Sequence, residues 1–161
     1  RMRAGTAGLA AIGAVATGSF GELLLADGLL RLGRSAEALE VLERTLGAVR
    51  SRGERTSESE LLRVTAEALV HAGGDPEVVD GLLAEARTAA RGIGARTAEL
   101  HVAMSRARIG SRDRHEARTQ LEEAIAAIAQ ETDEADIHEA RALLGTATAK
   151  YDSGERGELS R

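Results

Sequence analysis

The side chains with catalytic potential in this chain are four histidines, many carboxylates and one glycine-rich loop. His71, His101, His115 and His138 do not pair with one another at i, i+3 or i+4, so no local zinc site is expected. His115-Glu116-Ala117-Arg118 recurs as His138-Glu139-Ala140-Arg141, which reads as helix-face repetition rather than catalysis. A di-metal helix bundle would need Glu-x-x-His on two helices, and that spacing is absent. Glu58, Glu60, Glu67, Glu122, Glu123, Glu131, Asp133, Glu134 and Asp136 read instead as solvated faces or as first-turn charges that favour the helix dipole. Gly13-Ala14-Val15-Ala16-Thr17-Gly18-Ser19 echoes a phosphate loop. Ser19 stands where its lysine would be and no strand is predicted before it, so ATP hydrolysis is not expected. Arg106, Arg108, Arg112 and Arg114 span a helix end and a turn. Phosphate or an acidic partner would suit that cluster, but stabilisation of C-terminal helix carbonyls is the favoured reading. No catalytic, metal-binding or cofactor-binding residue is assigned.

The elements that position these side chains are helices. Proline occurs once, and alanine, leucine, glutamate and arginine are abundant. Only Phe20 and Tyr151 are aromatic and Trp is absent, so Leu, Val, Ile and Ala must fill the core. With no Cys, disulfides, thiolate metal sites and a cysteine nucleophile are excluded, which fits a cytoplasmic protein. The net charge of −5 argues against direct nucleic-acid contact. Residues 4–21 carry no charge, but their small side chains favour a helix buried against a neighbour over a membrane span. Beginning at Arg1 rather than Met, the chain is expected to be part of a longer protein.

Caps and apolar spacing predict eight helices. The first, about Ala4 to Thr17, is weak because of its glycines. The second, about Ser19 to Leu32, carries Leu25, Leu29 and Leu32 on one side and stops at Gly33. Ser35 caps the third, which runs to about Arg52 with Ala38, Val41, Leu42 and Val49 inward. Thr56 or Ser57 caps the fourth, and Leu61, Leu62, Thr65, Ala68, Leu69 and Ala72 form its buried face. Asp75 and Pro76 open the fifth, about Pro76 to Ile93. Gly94 ends it and Thr97 opens the sixth, which runs to Ile109. The seventh spans about Asp113 to Gln130 and the eighth about Glu134 to Lys150. Residues 152–161 read as a polar tail.

The elements also repeat. Arg52-Gly53-Glu54-Arg55-Thr56-Ser57-Glu58 aligns with Ile93-Gly94-Ala95-Arg96-Thr97-Ala98-Glu99 at an offset of 41, as do Gly33 with Gly74 and Leu42 with Leu83. Leu83-Ala84-Glu85-Ala86 aligns with Leu121-Glu122-Glu123-Ala124 at 38. A period near 40 built from helix pairs predicts an all-α fold, a right-handed α-solenoid of antiparallel helix pairs. One helical-repeat domain is expected over residues 1–151, with 1–18 its weakly assigned first helix.

Three phrases in order carry a family resemblance. The first is Gly53-Glu54-Arg55-Thr56-Ser57-Glu58-Ser59-Glu60-Leu61. The second is Gly94-Ala95-Arg96-Thr97-Ala98-Glu99-Leu100 followed by Ser105-Arg106-Ala107-Arg108. The third is Asp133-Glu134-Ala135-Asp136 followed by Glu139-Ala140-Arg141-Ala142-Leu143-Leu144. The stretch from Gly53 to Lys150 resembles the tetratricopeptide-like C-terminal region of bacterial STAND-type signalling ATPases. In that family the ATPase is joined to a class III nucleotide cyclase or a LuxR- or SARP-type transcriptional regulator. The chain departs from the family at Thr56-Ser57, where a bulky aromatic is common, and at Ala72-Gly73-Gly74. The resemblance implies a phosphate loop upstream of this chain and a non-enzymatic interaction or regulatory role within it.

The expected partner is a protein, a peptide or another domain of the same chain. The first helix of each pair commonly lines the concave face of such repeats. Glu60, Arg63 and Glu67 share one face of such a helix. His101 and Arg108 stand at the positions equivalent to Glu60 and Glu67 at the offset of 41. These five residues are the candidate partner-binding strip. A solvated face with no partner is the alternative for the strip, and a small-ligand sensor is the alternative for the function. A long open groove would favour peptide and a closed apolar pocket a small effector.

Overall fold

The computed structural model describes residues 19–110, 113–128 and 135–145. The expected first helix, the phosphate-loop echo before Ser19, Arg112, Asp133 and the polar tail lie outside these residues. Within them the fold is all-helical, with seven helices and no strand. They are α1 (19–31), α2 (Ser35–Ser51), α3 (Glu58–His71), α4 (Pro76–Gly92), α5 (Arg96–Ile109), α6 (Arg114–Ile128) and α7 (135–145).

Helices α1 to α4 each stop where the sequence places a glycine. Gly33, Gly53, Gly73 and Gly94 have φ of 73°, 66°, 72° and 68°. At each stop the same two bonds close the end. The residue after the glycine donates to the carbonyl five residues back: Arg34 to Leu29, Glu54 to Val49, Gly74 to Leu69 and Ala95 to Ala90, at 2.8–3.0 Å. The glycine N–H reaches the carbonyl three residues back, as Gly94 does to Arg91 at 3.1 Å. This Schellman motif satisfies carbonyls that the helix leaves open, and it requires the left-handed backbone that glycine tolerates. The glycine equivalent to Gly33 is therefore Gly73, not Gly74, so the repeat holds an offset of 40 there. The extra residue, Gly74, separates the cap from Asp75.

N-termini follow the expectation less closely. Asp75 and Asp113 cap α4 and α6, their carboxylates accepting from the N–H groups of Glu77 and Glu116 at 2.8 Å. Ser35 and Thr97 do not cap. They are helical residues, and α2 and α5 begin after Arg34 and Ala95 with no side-chain cap. Arg34 instead pairs with the first-turn Glu37. Ser57 stands at the N-cap of α3, but its hydroxyl donates to the Glu54 carboxylate.

The chain divides into two compact units, Arg1–Ala89 and Ala90–Arg161. In the first, Ala26 and Leu29 of α1, Ala38, Val41, Leu42 and Val49 of α2, and Leu61, Val64 and Ala68 of α3 share one apolar core. In the second, Leu100, Ala103 and Met104 of α5 pack with Leu121, Ile125 and Ile128 of α6 and with Ile137 and Ala140 of α7. Aliphatic and alanine side chains fill both cores, as the missing aromatics require. On α1, of the three leucines placed on one side only Leu29 is buried, while Leu25 and Leu32 are exposed.

Candidate functional site

Helix α3 presents a charge cluster on one face. Glu60, Arg63 and Glu67 sit at i, i+3 and i+7, which brings them to one face. The Arg63 guanidinium donates to Glu60 Oε2 and to Glu67 Oε1, each at 2.8 Å. Its side chain is only 18% exposed. Burial would lower its pKa, but the adjacent Glu60 and Glu67 carboxylates outweigh that and raise it above the ordinary arginine value. The cluster is a carboxylate–guanidinium–carboxylate strip with net negative charge.

In the second unit, His101 and Arg108 lie on α5 and both reach α7. His101 Nε2 stands 3.3 Å from an Asp136 carboxylate oxygen. Arg108 donates to Glu139 at 2.6 Å. Two of the five candidate partner residues thus bond the neighbouring helix of their own chain. Their equivalence to Glu60 and Glu67 lies in sequence position, while their chemistry is that of a helix–helix contact.

Among the described members of the basic cluster, Arg106 is the buried one. It is 8% exposed. Its Nη1 donates to Gln120 Oε1 at 3.1 Å and its Nη2 to Glu116 at 3.3 Å, and Gln120 in turn donates to Glu116 at 2.7 Å. Its Nε has no acceptor. This network ties α5 to α6 and is structural rather than a phosphate site. Sequence reasoning grouped Arg106 with exposed arginines. The available signal was its offset of 41 from Thr65, which is itself buried.

A second feature was missed because it joins three helices. In the last turn of α2, Arg50 Nε donates to Glu58 of α3 at 2.8 Å, and its Nη2 bonds Glu85 of α4. In the last turn of α4, Arg91 Nε donates to Glu99 of α5 at 2.8 Å, and its Nη2 lies 3.6 Å from Glu123 of α6. Arg50 to Arg91 and Glu58 to Glu99 are offsets of 41, and Glu85 to Glu123 is the offset of 38 seen in the sequence. The Glu58 hydrogen bond, foremost, holds the Arg50 guanidinium above its ordinary pKa. One arginine per repeat therefore clamps the next two helices.

Among the described residues, no three His, Asp or Glu side chains gather as a metal site, and no helix is long and apolar enough to cross a membrane. Searches against protein-family models, curated proteins and solved structures found no match to this chain.

Proposed function

We infer that this chain is a non-enzymatic protein-interaction and regulatory module built as a right-handed, tetratricopeptide-like α-solenoid. The observation that carries the reading is the recurring unit: a Schellman glycine closing each of four successive helices, and an arginine clamp repeated at Arg50 and Arg91. Repeats of this kind stack helix pairs and offer an extended surface rather than a catalytic cleft. The resemblance to the C-terminal region of STAND-type signalling ATPases supports a cytoplasmic, bacterial setting. There the partner is a protein, a peptide or another domain of the same polypeptide.

The partner-facing residues on this reading are Glu60, Arg63 and Glu67 of α3, together with His101 and Arg108 of α5. The α3 cluster is the stronger part, because its charges are held in fixed geometry and carry a net negative sign that selects a basic partner surface. A pull-down with the remaining domains of the full-length polypeptide is the test. Glu67→Lys should weaken capture while far-UV circular dichroism stays unchanged. Equal capture by wild type and variant would place the interface elsewhere.

A further inference from the structure

Helix α1 carries two glycines that the packing of its own chain does not explain. Gly21 and Gly28 lie inside the helix, neither has a positive φ, and a Cβ added at either would meet nothing within 4 Å. Glycine in a helix interior costs propensity, and close approach by another element is what offsets that cost. With Leu25 and Leu32 the two glycines form one line, at positions 21, 25, 28 and 32. Steps of four, three and four are the seam spacing of a two-helix coil. Leu32 still belongs to the line, because its N–H donates to the Gly28 carbonyl at 3.2 Å. The line is uncovered: Leu25 is 50% exposed, Leu32 72% and the flanking Leu24 58%. At the offset of 40 the matching line on α3 is Leu61, Thr65, Ala68 and Ala72. Its first three residues are buried, and no glycine alternates with leucine there.

We propose that this line is the contact seam for a second copy of the chain, docked as an antiparallel α1–α1 pair. One antiparallel register sets Gly21 against Leu32 of the second copy and Leu25 against Gly28 of the second copy, and two-fold symmetry repeats both contacts. Every layer then holds one leucine and one glycine, so each side chain fills the space that the opposite glycine leaves. A parallel pair would stack leucine on leucine and glycine on glycine, with layers crowded and empty by turns. Charge agrees with the antiparallel direction. The same register sets Glu22, near the start of one helix, level with Arg31, near the end of the other, whereas a parallel pair would set like charges level. Both charges are held within their own chain, Arg31 by Asp27 at 2.8 Å and Glu22 by Arg44 at 3.4 Å, so they set direction more than affinity. The seam is about 17 Å long. That is short of a standard protein interface, so the pair forms reversibly as concentration rises. The seam concerns α1 alone and stands independently of the partner reading, which concerns α3 and α5.

Sedimentation equilibrium of the full chain over a concentration series should show monomer passing into dimer. A monomer at every concentration would overturn the proposal. Leu25 lies outside the core, so Leu25→Asp should keep its far-UV circular dichroism and lose the dimer. Survival of the dimer in this variant would place the contact elsewhere and overturn the seam. Gly28→Leu separates the stated register from general stickiness. It adds apolar surface in open space, yet it should weaken association about tenfold by colliding with Leu25 of the second copy. Adding Leu25→Ala should restore association, while a tighter dimer in Gly28→Leu alone would overturn the register. Direction is read by crosslinking, which the absence of cysteine permits. A mixture of Gly21→Cys chains and Leu32→Cys chains should form a disulfide-linked dimer under air oxidation faster than either variant alone. Linkage in the mixture no faster than in the separate variants would overturn the antiparallel pair.

Discussion

Arg91 holds Glu99 across the α4–α5 turn at 2.8 Å, the bond length and chain position at which Arg50 holds Glu58 across the α2–α3 turn. Both arginines follow the same logic. A last-turn cation favours the carbonyl end of its own helix, and a first-turn anion favours the amide end of the next. The bond between them fixes the turn while both side chains complement the helix dipoles. Neither guanidinium is deeply buried, so solvent screening limits the gain. Arg50→Ala and Arg91→Ala should each cost about 0.5–1 kcal/mol by denaturant unfolding, with the loss shrinking in molar salt.

Glycine substitutions should divide by backbone angle. Gly94 has φ of 68° and stops α4, so Gly94→Val should cost roughly 2 kcal/mol although nothing crowds the added carbon. Gly81 lies inside α4 with open space around its Cα and no positive φ. Gly81→Ala should stabilise by about 0.5–1 kcal/mol through helix propensity. Thermal melts of the two variants should move in opposite directions.

The α5–α6 network should show coupling. Gln120→Leu strips the buried Arg106 Nη1 of its acceptor and should cost about 1–3 kcal/mol. Arg106→Met with Gln120→Leu removes both polar groups and should recover part of that loss, since buried charge is replaced by packed apolar atoms. A double-mutant cycle on unfolding free energies reads the difference. Additive losses would show that the two side chains act independently.

The Arg34–Glu37 pair makes a pH prediction. The hydrogen bond from Arg34, foremost, holds the Glu37 carboxyl below the usual glutamate range. A depressed folded-state pKa stabilises the fold above the unfolded value, and that contribution fades as pH falls through the folded value. Carboxyl NMR titration should find Glu37 low in the native chain and returned towards the ordinary range in Arg34→Ala.

Helix ends were the most legible part of the sequence because a Schellman glycine is a local event. It depends on a few residues in a row, and Gly33, Gly53 and Gly94 announce it. At Gly73-Gly74 the two neighbours are chemically identical, so the sequence could not say which turns left-handed. Side-chain roles at helix starts were less legible. Ser35 has the right chemistry for a cap, yet the salt bridge of Arg34 to Glu37 fixes that turn. The charged strip on α3 was readable from i, i+3 and i+7 spacing. The engagement of His101 and Arg108 with α7, and of Arg106 with α6, depends on which helix lies opposite, which spacing within one helix does not encode. Likewise Leu25 and Leu29 share a stripe, but their contrasting burial depends on what packs outside α1.

The clamps, the two cores and the α5–α7 pairs share one property: their reach along the chain is short. Among the described hydrogen bonds the widest span, from Arg50 to Glu85 and from His101 to Asp136, is 35 residues. Among the described residues no strand waits for a distant mate. A chain wired in this way pays little loop-closure entropy at each step, so it should fold quickly. It can also fold in order of synthesis. Arg50 has a binding partner as soon as α3 leaves the ribosome and a second once α4 follows, so each helix that emerges has its receiving surface already in place.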